Sequence, residues 1–153
     1  MTTKEIGAIQ VLKDVHRRVI ELLEKYKDDM PAQDKESLLA DLWHEMSLLD
    51  ALEVQVFYPA IKDYFQDAER CAEDHNHIKV LFAQVQRLMG NEEEFDERVH
   101  ELFEAIKSHL SEDSQVFRKV EKSGIDLSVL GRDLINKKES ITAHTLSEKN
   151  RLR

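Results

Sequence analysis

The chain is poor in structure breakers and in sulfur: its 153 residues include four glycines, two prolines and one cysteine. The lone Cys71 excludes an internal disulfide framework and fits a reducing compartment. So few glycines and prolines exclude the strand-and-turn architectures and disordered chains that depend on them. Long apolar runs are also missing. None approaches the roughly 20 residues that span a bilayer, and the opening MTTKEIGAIQVLKD lacks a signal-peptide core, so the cytoplasm is the expected location. Positive charge is in the minority, with 22 Lys and Arg against 31 Asp and Glu. The resulting net charge of −9 repels a nucleic-acid backbone or an anionic membrane, and neither is an expected partner.

What is present is 41% hydrophobic and 35% charged residues, at a length suited to one core. The apolar residues fall on helical stripes. Ile9, Leu12, Val15, His16, Val19, Leu22, Leu23 and Tyr26 recur at three- and four-residue steps and predict a first helix over about residues 4–27, stopping before Pro31. Asp34 is the expected cap of a second helix, with an inward face of Leu38, Leu42, Met46, Leu49, Glu53, Val56 and Phe57. Pro59 is expected to kink or end it near Tyr64.

A third stripe, Cys71, His75, Ile78, Leu81, Phe82, Val85 and Leu88, stops at Gly90-Asn91. The fourth, over about residues 94–121, carries Val99, Leu102, Phe103, Ile106, His109, Leu110, Asp113, Val116 and Phe117 and closes at Ser123-Gly124. Glu92-Glu93-Glu94 stands at its start, where the helix dipole favours negative charge. Asp126 opens a shorter fifth helix through Leu127, Leu130, Leu134 and Ile135, and the tail from Ser147 is expected to fray. These elements predict an all-α, up-down-up-down four-helix bundle over residues 1–122, with a C-terminal helix and tail over 123–153 packed on it or extending from it.

The halves of the bundle echo each other. Glu53-Val54-Gln55-Val56-Phe57 matches Asp113-Ser114-Gln115-Val116-Phe117, and His16 with its apolar neighbours matches His75 with its own. A duplicated helical hairpin would bring like residues together near a pseudo-twofold axis.

His16, Glu53, His75, His109 and Asp113 all lie on inward stripes, where an unpaired ionised carboxylate costs several kcal/mol. Three imidazoles and two carboxylates form a donor set for iron, manganese or zinc. His109 and Asp113 are one helical turn apart, so both reach one ion. The competing reading is a buried network in which protonated imidazoles neutralise the carboxylates without metal. His44, His77 and His100 fall off the inward stripes and His144 lies in the polar tail, positions suited to solvated histidines.

The chain resembles the hemerythrin-like, HHE cation-binding family over nearly its whole length. The resemblance rests on Asp14-Val15-His16-Arg17-Arg18-Val19, on Glu53 with Val56-Phe57-Tyr58-Pro59, on Asp74-His75-Asn76-His77-Ile78-Lys79 and on His109-Leu110-Ser111-Glu112-Asp113. The segment Gly124–Gly131, with Lys137 and Lys138 beyond it, resembles the segment after the bundle in bacterial members. The resemblance implies two irons bridged by Glu53 and Asp113, with His16, His75 and His109 as terminal ligands. The chain departs from the family at Leu49, which stands where a second-helix histidine is usual, at Asp113 in place of the usual Glu, and at Arg118. Asp50 and Cys71 are alternatives for completing the depleted position, which otherwise holds solvent or leaves one iron. The implied partners are oxygen, nitric oxide or peroxide, in sensing, detoxification or iron handling, and an oxygenase or peroxidase is compatible. A metal-free bundle acting as an interaction or dimerisation module, monomeric or homodimeric, is the second reading.

Overall fold

The computed structural model describes residues 7–90 and 92–151, with side chains as far as Ala143 apart from Glu92. The expected helix start at residue 4, the side chain of His144 and the side chains of the tail from Ser147 lie outside the described residues. Among the described residues the chain is all-helical, in α1 (Ala8–Lys25), α2 (Ala32–Leu52), a π-helical stretch (Glu53–Phe57), α3 (Tyr58–Ile61), α4 (Asp67–Arg87), α5 (Glu92–Lys122) and α6 (Ser128–Arg151). Among the described residues no helix is long and apolar enough to cross a membrane.

Each long helix exists because one face can be buried. In α1 that face is Ile9, Leu12, Val15, His16, Val19 and Leu23, and the helix gives way to extended backbone at Tyr26. The second helix starts two residues before the expected cap. Pro31, with φ fixed near helical values, supplies the carbonyl that accepts from the Asp34 and Lys35 N–H groups at 3.0 and 3.1 Å. Asp34 therefore stands inside the first turn, where its charge still complements the dipole.

Pro59 leaves its mark upstream. A proline ring inside a helix meets the carbonyl four residues back and donates no N–H. The chain accommodates this by widening the turn before it, so that Tyr58 N–H donates to the Glu53 carbonyl five residues back. The rod then ends at Ile61, three residues short of Tyr64, whose N–H closes the turn on the Ile61 carbonyl at 2.9 Å.

α1, the α2–α3 rod, α4 and α5 form the bundle, with α1 against α2 and α5, and α4 against α3 and α5. Gly90 and Gly124 close the turns after α4 and α5 at φ 99° and 74°, in the left-handed region that glycine enters without strain. Asp126 accepts from Ser128 N–H at 3.0 Å and starts α6, which packs on α1, α2 and the π-helical stretch, burying Leu130 and Leu134. At the opposite end a polar staple holds three elements: Tyr26 donates to Asp96 at 2.6 Å and Lys35 pairs with the same carboxylate at 2.9 Å.

The matched sequence halves do meet. Phe57 and Phe117 pack edge to face with ring centroids 5.5 Å apart, and His16 lies over Phe117 at 5.1 Å. The polar cluster sits directly beside this aromatic floor.

Candidate metal centre

Four elements each deliver one or two polar side chains to the bundle interior. α1 supplies His16, the π-helical stretch supplies Glu53, α4 supplies His75, and α5 supplies His109 and Asp113; all five are buried. One ligand atom from each of Glu53, His75, His109 and Asp113 lies within 4.8 Å of the others. His16 extends the cluster toward α1, with Nε2 3.3 Å from Asp113 Oδ2 and 3.6 Å from Glu53 Oε2. His109 Nε2 is 3.0 Å from Asp113 Oδ2 and 3.5 Å from Glu53 Oε1, and His75 Nε2 is 2.9 Å from Glu53 Oε1.

Every imidazole therefore turns Nε2 inward. The outer nitrogens of two of them face carboxylates: His75 Nδ1 lies 3.3 Å from Asp50 Oδ1, and His109 Nδ1 lies 3.5 Å from Asp74 Oδ2. Carboxylates in these outer positions stand where partners that orient a ligating ring are found, although His109 Nδ1 and Asp50 Oδ1 themselves make no hydrogen bond.

Chemical fit can be judged from the unpaired atoms. His16 Nε2, Glu53 Oε2 and Asp113 Oδ2 are buried, make no hydrogen bond and converge from three elements. Leaving even one such atom without a partner costs about 1–3 kcal/mol, and ionised groups cost more. First-row ions hold nitrogen and oxygen at about 2.0–2.2 Å, which places neighbouring donors roughly 3.0–3.4 Å apart. The separations of 2.9 to 3.6 Å in the cluster bracket that spacing. The donor set fits a cation.

Without one, protons take its place. Burial alone would push the His16 imidazole down, but the Asp113 and Glu53 carboxylates more than offset it and raise it to about 9. The same opposition, again won by Asp113 and Glu53, raises His109 to about 11, and Asp50 and Glu53 raise His75. Glu53 is pushed up by burial and pulled further down by His109, His16 and His75, to well below the carboxylate range.

The other candidates separate cleanly. Asp50 does not join the cluster; its Oδ1 sits behind His75 and 3.1 Å from Lys79. Cys71 is buried, and burial followed by the Asp113 charge pushes its thiol up, which favours the neutral form. Leu49 is fully buried, an apolar side chain one turn before Glu53. His44 and His77 are exposed, and His100 pairs with Asp28 at 2.9 Å near the far end of the bundle.

Tyr58 is the residue that pattern reading passes over. Its hydroxyl donates to Asp113 Oδ1 at 2.6 Å and lies 3.4 Å from His75 Nε2. Burial and then the Glu53 and Asp113 charges push the phenol up, keeping it a neutral donor. The only sequence signal is Pro59, which marks where the α-helical register must break. Outside the cluster, a cleft of about 220 Å³ between α2 and α4, lined by Trp43, Met46, Asp50, His75, Lys79 and Phe82, opens behind His75.

A four-helix bundle with three histidines and two carboxylates converging in its core defines a cation-binding helical protein. The hemerythrin HHE cation-binding domain matches residues 7–120, so the chain belongs to that family. No curated protein and no solved structure matches the chain.

Proposed function

We propose that the chain is a cytoplasmic non-haem iron protein that interacts with oxygen, peroxide or nitric oxide, in sensing, detoxification or iron handling. The supporting observation is the convergence of three unpaired buried atoms, His16 Nε2, Glu53 Oε2 and Asp113 Oδ2, in the core of a cation-binding family member. Iron would be held by His16, Glu53, His75, His109 and Asp113, whose mixed nitrogen and carboxylate donors suit it. When bound, it supplies a redox-active coordination position for a small ligand. The chain's own residues orient the donors, and apolar rings lie beside them, Phe117 5.1 Å from the His16 ring and Phe57 packed edge-on against Phe117. Because Leu49 ligates nothing, the donor set is short of the family's usual complement and favours exogenous ligands over saturation by protein.

The experiment is metal analysis with visible absorption on protein made in iron-replete cells. Iron retained on purification, and lost together with thermal stability in His109→Ala and Asp113→Ala, is the expected result. A protein that retains no first-row metal and takes up none on reconstitution overturns the reading. That outcome favours the second reading, a metal-free bundle used as an interaction module. Its support is the 2.9 Å hydrogen bond between His75 Nε2 and Glu53 and the raised imidazoles, which already neutralise the core.

A further inference from the structure

Besides Leu49 against His109, the two sequence halves part company just beyond the matched segments. Five residues after Asp113 stands Arg118, exposed, as a regular α-helix requires when Phe117 points inward. Five residues after Glu53 stands Tyr58, and both it and Phe57 are buried. The π-helical stretch accounts for the difference. In an α-helix five residues advance about 500°, leaving Tyr58 about 140° away from Glu53. A turn closed from Glu53 to Tyr58 instead returns Tyr58 to the face of Glu53.

The consequence lies at Asp113. Tyr58 gives its proton to Oδ1, and its oxygen is wedged between Oδ1 and His75 Nε2. A carboxylate bridging two ions would use Oδ1 toward an ion that His75 also holds. That approach is where the phenol oxygen sits. Oδ2, by contrast, has no hydrogen bond and faces His16 and His109.

We propose that Tyr58 is a positioning residue that confines Asp113 to ligation through Oδ2, so that the centre holds one cation tightly at the His16 and His109 side and disfavours a second at the His75 side. The inference rests on the metal-centre reading above and concerns how many ions the centre keeps. It differs from the bridged pair that family resemblance implies.

Calorimetric titration of the metal-free full chain with cobalt(II) in the absence of oxygen tests it. The wild type is expected to take one equivalent tightly and a second at least tenfold more weakly. Tyr58→Phe keeps the ring that packs on Phe57 and His75 and removes only the hydroxyl. Its second equivalent is expected to tighten at least tenfold while the first stays within a few-fold. Tyr58→Leu, which also lacks the hydroxyl, should repeat that pattern if the phenylalanine variant folds poorly. A merely structural role would weaken both equivalents together and lower the melting temperature. Two tight equivalents in the wild type, or an unchanged isotherm in both variants, overturns the inference. So does loss of the first equivalent in a folded variant, which would make the phenol oxygen itself a ligand. A wild type that takes up no cobalt at all overturns the metal-centre reading as well, so the two failures are distinguishable.

Discussion

At His75 the two ring nitrogens have separate duties. Nε2 faces the cluster, and Nδ1 faces Asp50, which Lys79 holds from the solvent side. The three residue steps from Asp50 to Glu53 turn the helix about 300°, which leaves Asp50 about 60° off the direction of Glu53. That offset places it behind the histidine, where composition alone could not decide between a ligand and a support. Supports of this kind change metal affinity by about 10–100-fold when removed. Asp50→Ala is therefore expected to weaken the second equivalent, on the His75 side, by about that factor and to leave the first within a few-fold, measured by the same cobalt(II) titration. Lys79→Ala, at a half-exposed side chain, should change the second by less than a few-fold. Equal affinities for Asp50→Ala and wild type would show that the ring needs no such anchor.

Among the elements, the π-helical stretch decides what the second helix contributes. A π turn is an α turn carrying one extra residue, and exposed Gln55 is the residue whose removal leaves both flanking faces intact. Deleting Gln55 together with Pro59→Ala, which removes the ring that would meet the carbonyl four residues back, should leave Glu53 and Tyr58 four apart in a regular turn, with metal binding and fold retained. Deleting Ala51 from the regular part of α2 rotates Leu38 through Leu49 by about 100° against Glu53 and should abolish binding and cooperative melting. Circular dichroism melts with metal titration read both variants, and loss of binding on Gln55 deletion would contradict the register argument. The same element marks the limit of what is legible in the sequence. Stripes of period 3.6 locate α1, α2, α4 and α5 and the first turns of α6, whose backbone runs on as helix past Ser147 to Arg151, and the matched Glu53 and Asp113 segments point to the five converging side chains. Tyr58 escapes because that period assigns it to the wrong face, and Lys35 escapes because its burial depends on Asp96 and Tyr26 from distant elements. Asp34 resembles a cap by residue type, but Pro31 supplies the first carbonyl itself.

For the whole molecule, the cluster links folding to both protons and metal. In the metal-free protein the folded pKa of His16, about 9, stands above its ordinary 6.5. A raised imidazole stabilises fully below its unfolded pKa, and that stabilisation is lost as pH rises through the folded value. His109, raised to about 11, extends the loss to higher pH. Glu53, lowered, acts in the opposite sense, stabilising above the ordinary carboxylate value of 4.5 and failing as pH falls below it. Metal-free stability should therefore be greatest at about pH 5–6.5. At about 1.4 kcal/mol for each tenfold change in proton affinity, His16 alone contributes on the order of 3 kcal/mol. That corresponds to a fall in melting temperature of roughly 6–12 °C between pH 6.5 and 9.5. Metal reverses the sign, because an ion must displace the imidazole protons and so binds more tightly as pH rises. The gap between metal-loaded and metal-free melting temperatures should widen steadily across the same interval. Paired melts at pH 6.5, 8 and 9.5 measure both trends, and a metal-free melting temperature that stays level across them would mean that the imidazoles are neutral in the folded core and that protons do not stand in for the cation.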